Sequence, residues 1–126
     1  EEEGVDPSAW IWVHAQNESD RDRHVEAARR GGWVEFDGYE PEQTEEYVQI
    51  LQDMREAEVL GRVLISQDNG WYHVGEPGGG TFQSYDALFT ELVPRLREEG
   101  FSEEEVRMLT VENPARAFSR RVRAAE

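Results

Sequence analysis

Three short apolar runs rich in β-formers, separated by segments with a helical period, constrain this chain more than any other feature. Trp10 to Val13 (WIWV), Trp33 to Phe36 (WVEF) and Val63 to Ser66 (VLIS) are each of strand length. After the first, Ser19 opens a capping-box-like S-x-x-D ahead of a helix running to about Arg30, which Gly31 and Gly32 close. After the second, the DGYEP turn leads to a helix starting at Pro41 or Thr44. There Tyr47, Ile50, Leu51, Met54 and Ala57 recur at spacings of three and four, a stripe expected to run through to Leu60 with Gly61 at the C-cap. Strands alternating with helices of ten or more residues predict a parallel sheet, because parallel neighbours need a crossover and a helix is the usual one. The fold class is α/β.

Beyond the third run, Asp68 to Phe82 (DNGWYHVGEPGGGTF) has no helical period, and its glycines and proline predict a long irregular loop of the kind that often carries function. Ser84 is expected to cap a third helix with Tyr85, Leu88, Phe89, Leu92, Val93 and Leu96 on its inner face, kinked near Val93 by Pro94 and ended by Gly100. Ser102 and Glu105 form a capping box for a short helix to about Leu109, and Asn113 with Pro114 starts a last one. Residues 1–126 are of single-domain length. Three parallel strands leave two open edges, however, and a closed barrel takes about eight strands and about 250 residues. The chain is either a small open sheet or part of something larger, and EEEGVDPSA gives no sign of an independent N-terminal start.

Composition removes several chemistries. There is no cysteine, which excludes disulfides, cysteine nucleophiles and cysteine metal sites and fits a reducing, cytoplasmic setting. All 13 basic residues are arginine, so no lysine nucleophile, Schiff base or lysine-derived metal bridge comes from this chain. A net charge of −15 argues against nucleic-acid or anionic-membrane partners, whose phosphates need clustered cations. No apolar run approaches the ~18 residues of a membrane span, and EEEGVDP lacks the basic and apolar regions of a signal peptide.

In parallel α/β sheets and barrels, ligands bind where strands end. The first run ends on His14, the second on Asp37 and the third on Asp68. Alternation along a strand puts Trp12 and His14 on one face, and Leu64, Ser66 and Asp68 on one face. If the more aliphatic faces meet the helices, His14 and Asp68 converge on the other side. Imidazole and carboxylate there suit a divalent metal, and the carboxylate can also take a proton from metal-activated water. On pattern alone the commoner uses are a hydrogen-bonded strand-end histidine and a turn-capping aspartate. Trp71 and His73 are candidates for lining a pocket, with ordinary loop packing as the alternative. His24, among the charges of DRDRHVEAARR, reads as a solvated face residue, and GEPGGG lacks the spacing and lysine of a phosphate-binding loop. Glu35 and Asp37 share a strand face as a possible acid pair, unless one caps the DGYEP turn.

The segments WVHAQNESD, GWVEFDGY, LISQDNGW and SYDALFTELVPRLREEGFSEEEVRMLTVENPARAFS, in that order, resemble the C-terminal half of the phosphotriesterase family of the amidohydrolase superfamily. The resemblance implies a partial (β/α)8 TIM barrel whose three strands are barrel strands six, seven and eight. It implies a hydrolase in which a metal-bound hydroxide attacks a lactone, ester or phosphotriester small molecule at a binuclear centre of zinc, manganese, iron or cobalt. By that resemblance His14 is a ligand of the more exposed metal. Asp68 is both a ligand of the more buried metal and the catalytic acceptor of the hydroxide proton, and Trp71 and His73 lie in the loop that shapes the leaving-group side. The family's other ligands, an H-x-H, a carboxylated lysine or glutamate and a further histidine, are not in this sequence, so this chain alone is expected to be inactive. The expected partner is a missing N-terminal half or a second copy. Gly38 and Asn17 stand where phosphotriesterases proper carry a proton-relay histidine and acid, so that relay is absent here and lactone or other ester hydrolysis stands at least level with phosphotriester hydrolysis as the implied reaction. The alternative is a non-catalytic half-barrel module for binding or assembly.

Overall fold

The computed structural model describes residues 4–119. Strands β1 (Ile11–Trp12), β2 (Trp33–Phe36) and β3 (Val63–Ile65) form one parallel sheet in the order β1-β2-β3. Ile11 is level with Trp33, Trp12 with Val34, Val34 with Val63, and Phe36 with Ile65. The crossovers are helices α1 (Arg21–Arg29) and α2 (Thr44–Glu56), the latter preceded by a 3₁₀ turn at Pro41–Gln43, so both expected starting points are used.

Residues level with one another share a face. Trp12, Val34, Phe36, Val63 and Ile65 lie in or against one core with Ala28 of α1, and with Tyr47, Leu51 and Met54 of α2. Leu92, Leu96 and Leu109 from the C-terminal helices complete that core. A sheet with its helices on one face is a segment of a barrel, whereas a doubly wound sheet takes helices on both. The molecule is a partial (β/α)8 barrel of three parallel strands with flanking helices. The opposite face carries Ile11, Trp33, Glu35 and Leu64.

That layering corrects the face expected for β1. Trp12, not Ile11 and Val13, turns toward the helices, its ring 5.3 Å from that of His24 in α1, while Val13 is exposed. The indole has the larger apolar area to bury, and that decides the face. His24 is itself corrected: it is 1% exposed, not solvated. Its Nε2–H donates to the Ala15 carbonyl at 2.8 Å, and its ring meets Phe36 edge-on at 5.1 Å.

Helix ends differ in instructive ways. Asp20, not Ser19, caps α1 by accepting the Asp22 N–H, and Gly31 closes it at φ 98° as expected. Helix α2 stops at Glu56, short of Leu60, because Glu58 takes the left-handed position at φ 59° and Val59 N–H turns back to Met54 O. Ser84 does not cap the third helix; its hydroxyl goes to the Asp86 carboxylate, and a π turn at Leu88–Leu92 leads into α3 (Val93–Glu98).

The Ser102–Glu105 capping box is present at α4 (Glu103–Arg107), but Asn113 caps nothing. A second π turn, Met108–Glu112, joins α4 to α5 (Asn113–Phe118). Pro94 and Pro114 each stand second in their helix, and the turn before each is widened so that Val93 N–H reaches Leu88 O and Asn113 N–H reaches Met108 O. The disturbance expected near Val93 takes this form. Asn113, fully buried, donates from Nδ2 to Leu60 O at 2.9 Å and Val63 O at 2.8 Å, which ties the last helix to the start of β3.

Candidate functional site

His14, Asp37 and Asp68 each lie just beyond the C-terminal end of a strand, and each arrives there differently. His14 is not placed by strand alternation, because β1 ends at Trp12 and His14 adopts φ 54° and ψ 33°. This left-handed conformation is uncommon for a residue with a Cβ, and histidine is among the types that tolerate it. Its carbonyl accepts Asn17 N–H at 3.1 Å, closing the 3₁₀ turn Ala15–Asn17. Asn17 itself is exposed on that turn.

Asp37, just past β2, holds His14 by two atoms. The His14 backbone N–H donates to Asp37 Oδ2 at 3.0 Å, and His14 Nδ1 donates to Oδ1 at 2.9 Å. Gln16 adds a third contact from Nε2 to Oδ1 at 2.9 Å and accepts the Asp37 N–H at 3.2 Å. Burial alone raises the Asp37 pKa, yet the bonds from Gln16 and His14 outweigh it and hold the carboxyl below its ordinary value. An ionised carboxylate only accepts, so Nδ1 of His14 carries the proton it faces, and in the neutral ring the Nε2 lone pair is free. Glu35, on the barrel-interior face, is pushed up by burial first and by Asp37 second, with His14 pulling the other way.

Asp68 follows β3 and is exposed, and its carboxylate has no hydrogen-bond or ion-pair partner among the described residues. Its carbonyl accepts Trp71 Nε1–H at 2.7 Å. Asp68 and Trp71 line one open cleft of about 220 Å³ with Gly38, Tyr39, Glu40 and Asn69. Beside it a second cleft of about 310 Å³, sharing Glu40 and Asn69, is bordered by Glu42, Asp86 and Glu91. His73 is not part of either lining; its N–H bonds to Gly79 O within the loop at 2.8 Å.

The structure therefore joins His14 to Asp37, and Asp68 to Trp71, and leaves His73 apart. Among the described residues no three His, Asp or Glu side chains cluster as a metal-holding group. The donor chemistry still suits a divalent cation in part. His14 offers Nε2 from a ring fixed by a carboxylate, the usual support for a metal-bound imidazole, and Asp68 offers free oxygens. Two donors do not complete a site. Sequence reasoning named Asp37 as a strand end but not as the partner of His14, and it missed Gln16. The adjacency of two successive parallel strands was the available signal, since their pairing, Ile11 level with Trp33, brings Asp37 to within one residue of His14.

Comparison with known proteins gives the same picture. The model of the phosphotriesterase family matches residues 1–118. The phosphotriesterase homology protein of Escherichia coli K12 is 31% identical over 121 residues, 91% of this chain and 40% of that protein. A structure concerned with engineering organophosphate hydrolysis from a weak promiscuous lactonase template superposes with a TM-score of 0.77 at 26% identity, covering 92% of this chain and 40% of that one. The organophosphorus hydrolase of Deinococcus radiodurans gives a TM-score of 0.74 at 26% identity, covering 92% and 39% respectively. The chain thus spans about two fifths of the length of these relatives. With its fold, its family match and its curated relative in agreement, this chain belongs to the phosphotriesterase family.

Proposed function

We propose that this chain is the C-terminal part of a metal-dependent hydrolase acting on a lactone, ester or phosphotriester, with barrel strands six to eight at β1 to β3. The observation that carries this is the His14–Asp37 pair, which presents Nε2 of a strand-end histidine as a ligand nitrogen in a chain of this family. His14 and Asp68 would hold part of a divalent centre of zinc, manganese, iron or cobalt, binuclear in the whole enzyme. When bound, such ions supply a water acidic enough to be a nucleophile near neutral pH. Asp68 has its carboxylate oxygens unengaged and accepts the proton of the attacking water. Trp71, whose indole is pinned to the Asp68 carbonyl, provides an apolar wall at the leaving-group side, and His73 contributes to the same loop. The remaining donors come from an N-terminal half outside residues 1–126, a second copy bringing only a further His14 and Asp68, and the expected setting is the cytoplasm. No helix among the described residues is long and apolar enough to cross a membrane.

The lack of a three-donor cluster among the described residues favours one other reading, a non-catalytic half-barrel used for binding or assembly. The two separate on one variant. In a chain that joins this span to the family's remaining ligands, Asp68→Asn is expected to lower lactone, ester or phosphotriester turnover by about 10²-fold or more. Equal turnover by variant and parent would remove Asp68 from the chemistry.

A further inference from the structure

We propose that Gln16 is a positioning residue that fixes which nitrogen His14 presents, and that position 38 is glycine so that Gln16 can do so. The inference rests on His14 being a metal ligand and adds how the ligand is set. An aspartate's terminal torsion is broad, so a carboxylate held at one point rotates. Here one amide holds both the Asp37 carboxylate and its backbone, with Gln16 Nε2 on Oδ1 at 2.9 Å and Gln16 Oε1 on the Asp37 N–H at 3.2 Å. Oδ1 also receives His14 Nδ1–H while Oδ2 receives the His14 backbone N–H. Only an amide of this length supplies both the donor and the acceptor: glutamate lacks the donor, and asparagine is one methylene short.

Gly38 completes the lock. A Cβ there would lie 2.6 Å from Gln16 Nε2, inside any permitted contact. The Gly38 N–H is meanwhile held by Tyr47 Oη at 3.1 Å, so the backbone has a partner to lose if it retreats. A side chain at 38 therefore displaces the Gln16 amide, and with it the orientation of Asp37. The ends of β1 and β2 act as one unit whose output is the orientation of the His14 ring.

The test is tautomer assignment in the ¹⁵N-labelled, metal-free 126-residue chain by long-range ¹H–¹⁵N correlation of the imidazoles, followed by titration with zinc. The parent is expected to show His14 as the single Nδ1–H tautomer. Gln16→Ala, Gln16→Glu and Gly38→Ala should each convert it to a mixture with Nε2–H and weaken zinc binding by about 10-fold or more. Gly38→Ala placed on Gln16→Ala should add nothing, because the amide it displaces is already gone. His24 is an internal control: it donates through Nε2–H to Ala15 O and should keep that tautomer in every variant. If Gln16→Ala unfolds the chain, the volume-conserving Gln16→Glu carries the test. A retained Nδ1–H tautomer with zinc affinity within about twofold of the parent would overturn the proposal. If His14→Ala leaves zinc binding unchanged while Gln16→Ala still scrambles the His14 tautomer, the metal reading fails and the positioning role stands.

Discussion

His24 shows how a single residue is misjudged from sequence. Its neighbours in DRDRHVEAARR are charged, and α1 has only His24 and Ala28 fully buried, so no apolar stripe announces an inward face. The four-residue spacing of these two was the signal. Burial depresses the His24 pKa below 6.5, while the bond to Ala15 O and the charges of Glu18 and Asp20 oppose that and Arg21 adds to it. Since the folded value lies below the unfolded one, the unfolded chain takes up its proton first as pH falls. The stability this residue contributes is complete above about pH 6.5 and is lost on acidification through its folded pKa. Urea denaturation at pH 7.5 and pH 5.5 should show a larger drop for the parent than for His24→Gln, which keeps a donor for Ala15 O. Parallel drops would assign the acid sensitivity elsewhere. His14 was legible as a strand-end histidine, whereas its left-handed backbone was not, because that conformation comes from Asp37 across the sheet.

At the level of elements, the order of strands and crossovers was readable because strand-length apolar runs alternate with longer segments closed by glycines. The Ser102–Glu105 box was readable for the same reason, since a capping box is local. What failed was non-local. The face of β1 was set by the area of Trp12 against α1, and the stop of α2 by a left-handed Glu58 that no glycine marked. Asn113 before Pro114 reads as the start of the last helix, because asparagine is favoured just ahead of a first-turn proline. Its real work spans 50 residues, to the carbonyl of Val63 at the head of β3. Asn113→Ala leaves the Leu60 and Val63 carbonyls without their side-chain donor and should cost about 2–4 kcal/mol in chemical denaturation. A cost within about 0.5 kcal/mol, the range of ordinary surface changes, would show that these carbonyls find other partners.

For the whole molecule, the pattern of runs pointed to a parallel α/β order and left a small open sheet or part of something larger; the partial barrel came from the family resemblance, and the sequential sheet with helices on one face bears it out. The site was legible only in part. His14 and Asp68 could be named because strand ends are where such folds place ligands. The Asp37 partner of His14 could not, because the two meet only across the sheet, 23 residues apart, and neither could the bonds of Gln16 to Asp37. The chain spans about two fifths of its relatives and holds two candidate donors, so the proposed centre takes its other donors from beyond residues 1–126. Equilibrium dialysis of the 126-residue chain against zinc, with metal and protein quantified on the same sample, tests this directly. The expected result is weak binding of less than one ion per chain, reduced further by His14→Ala and by Asp68→Asn. Two tightly held ions on each isolated chain would contradict it.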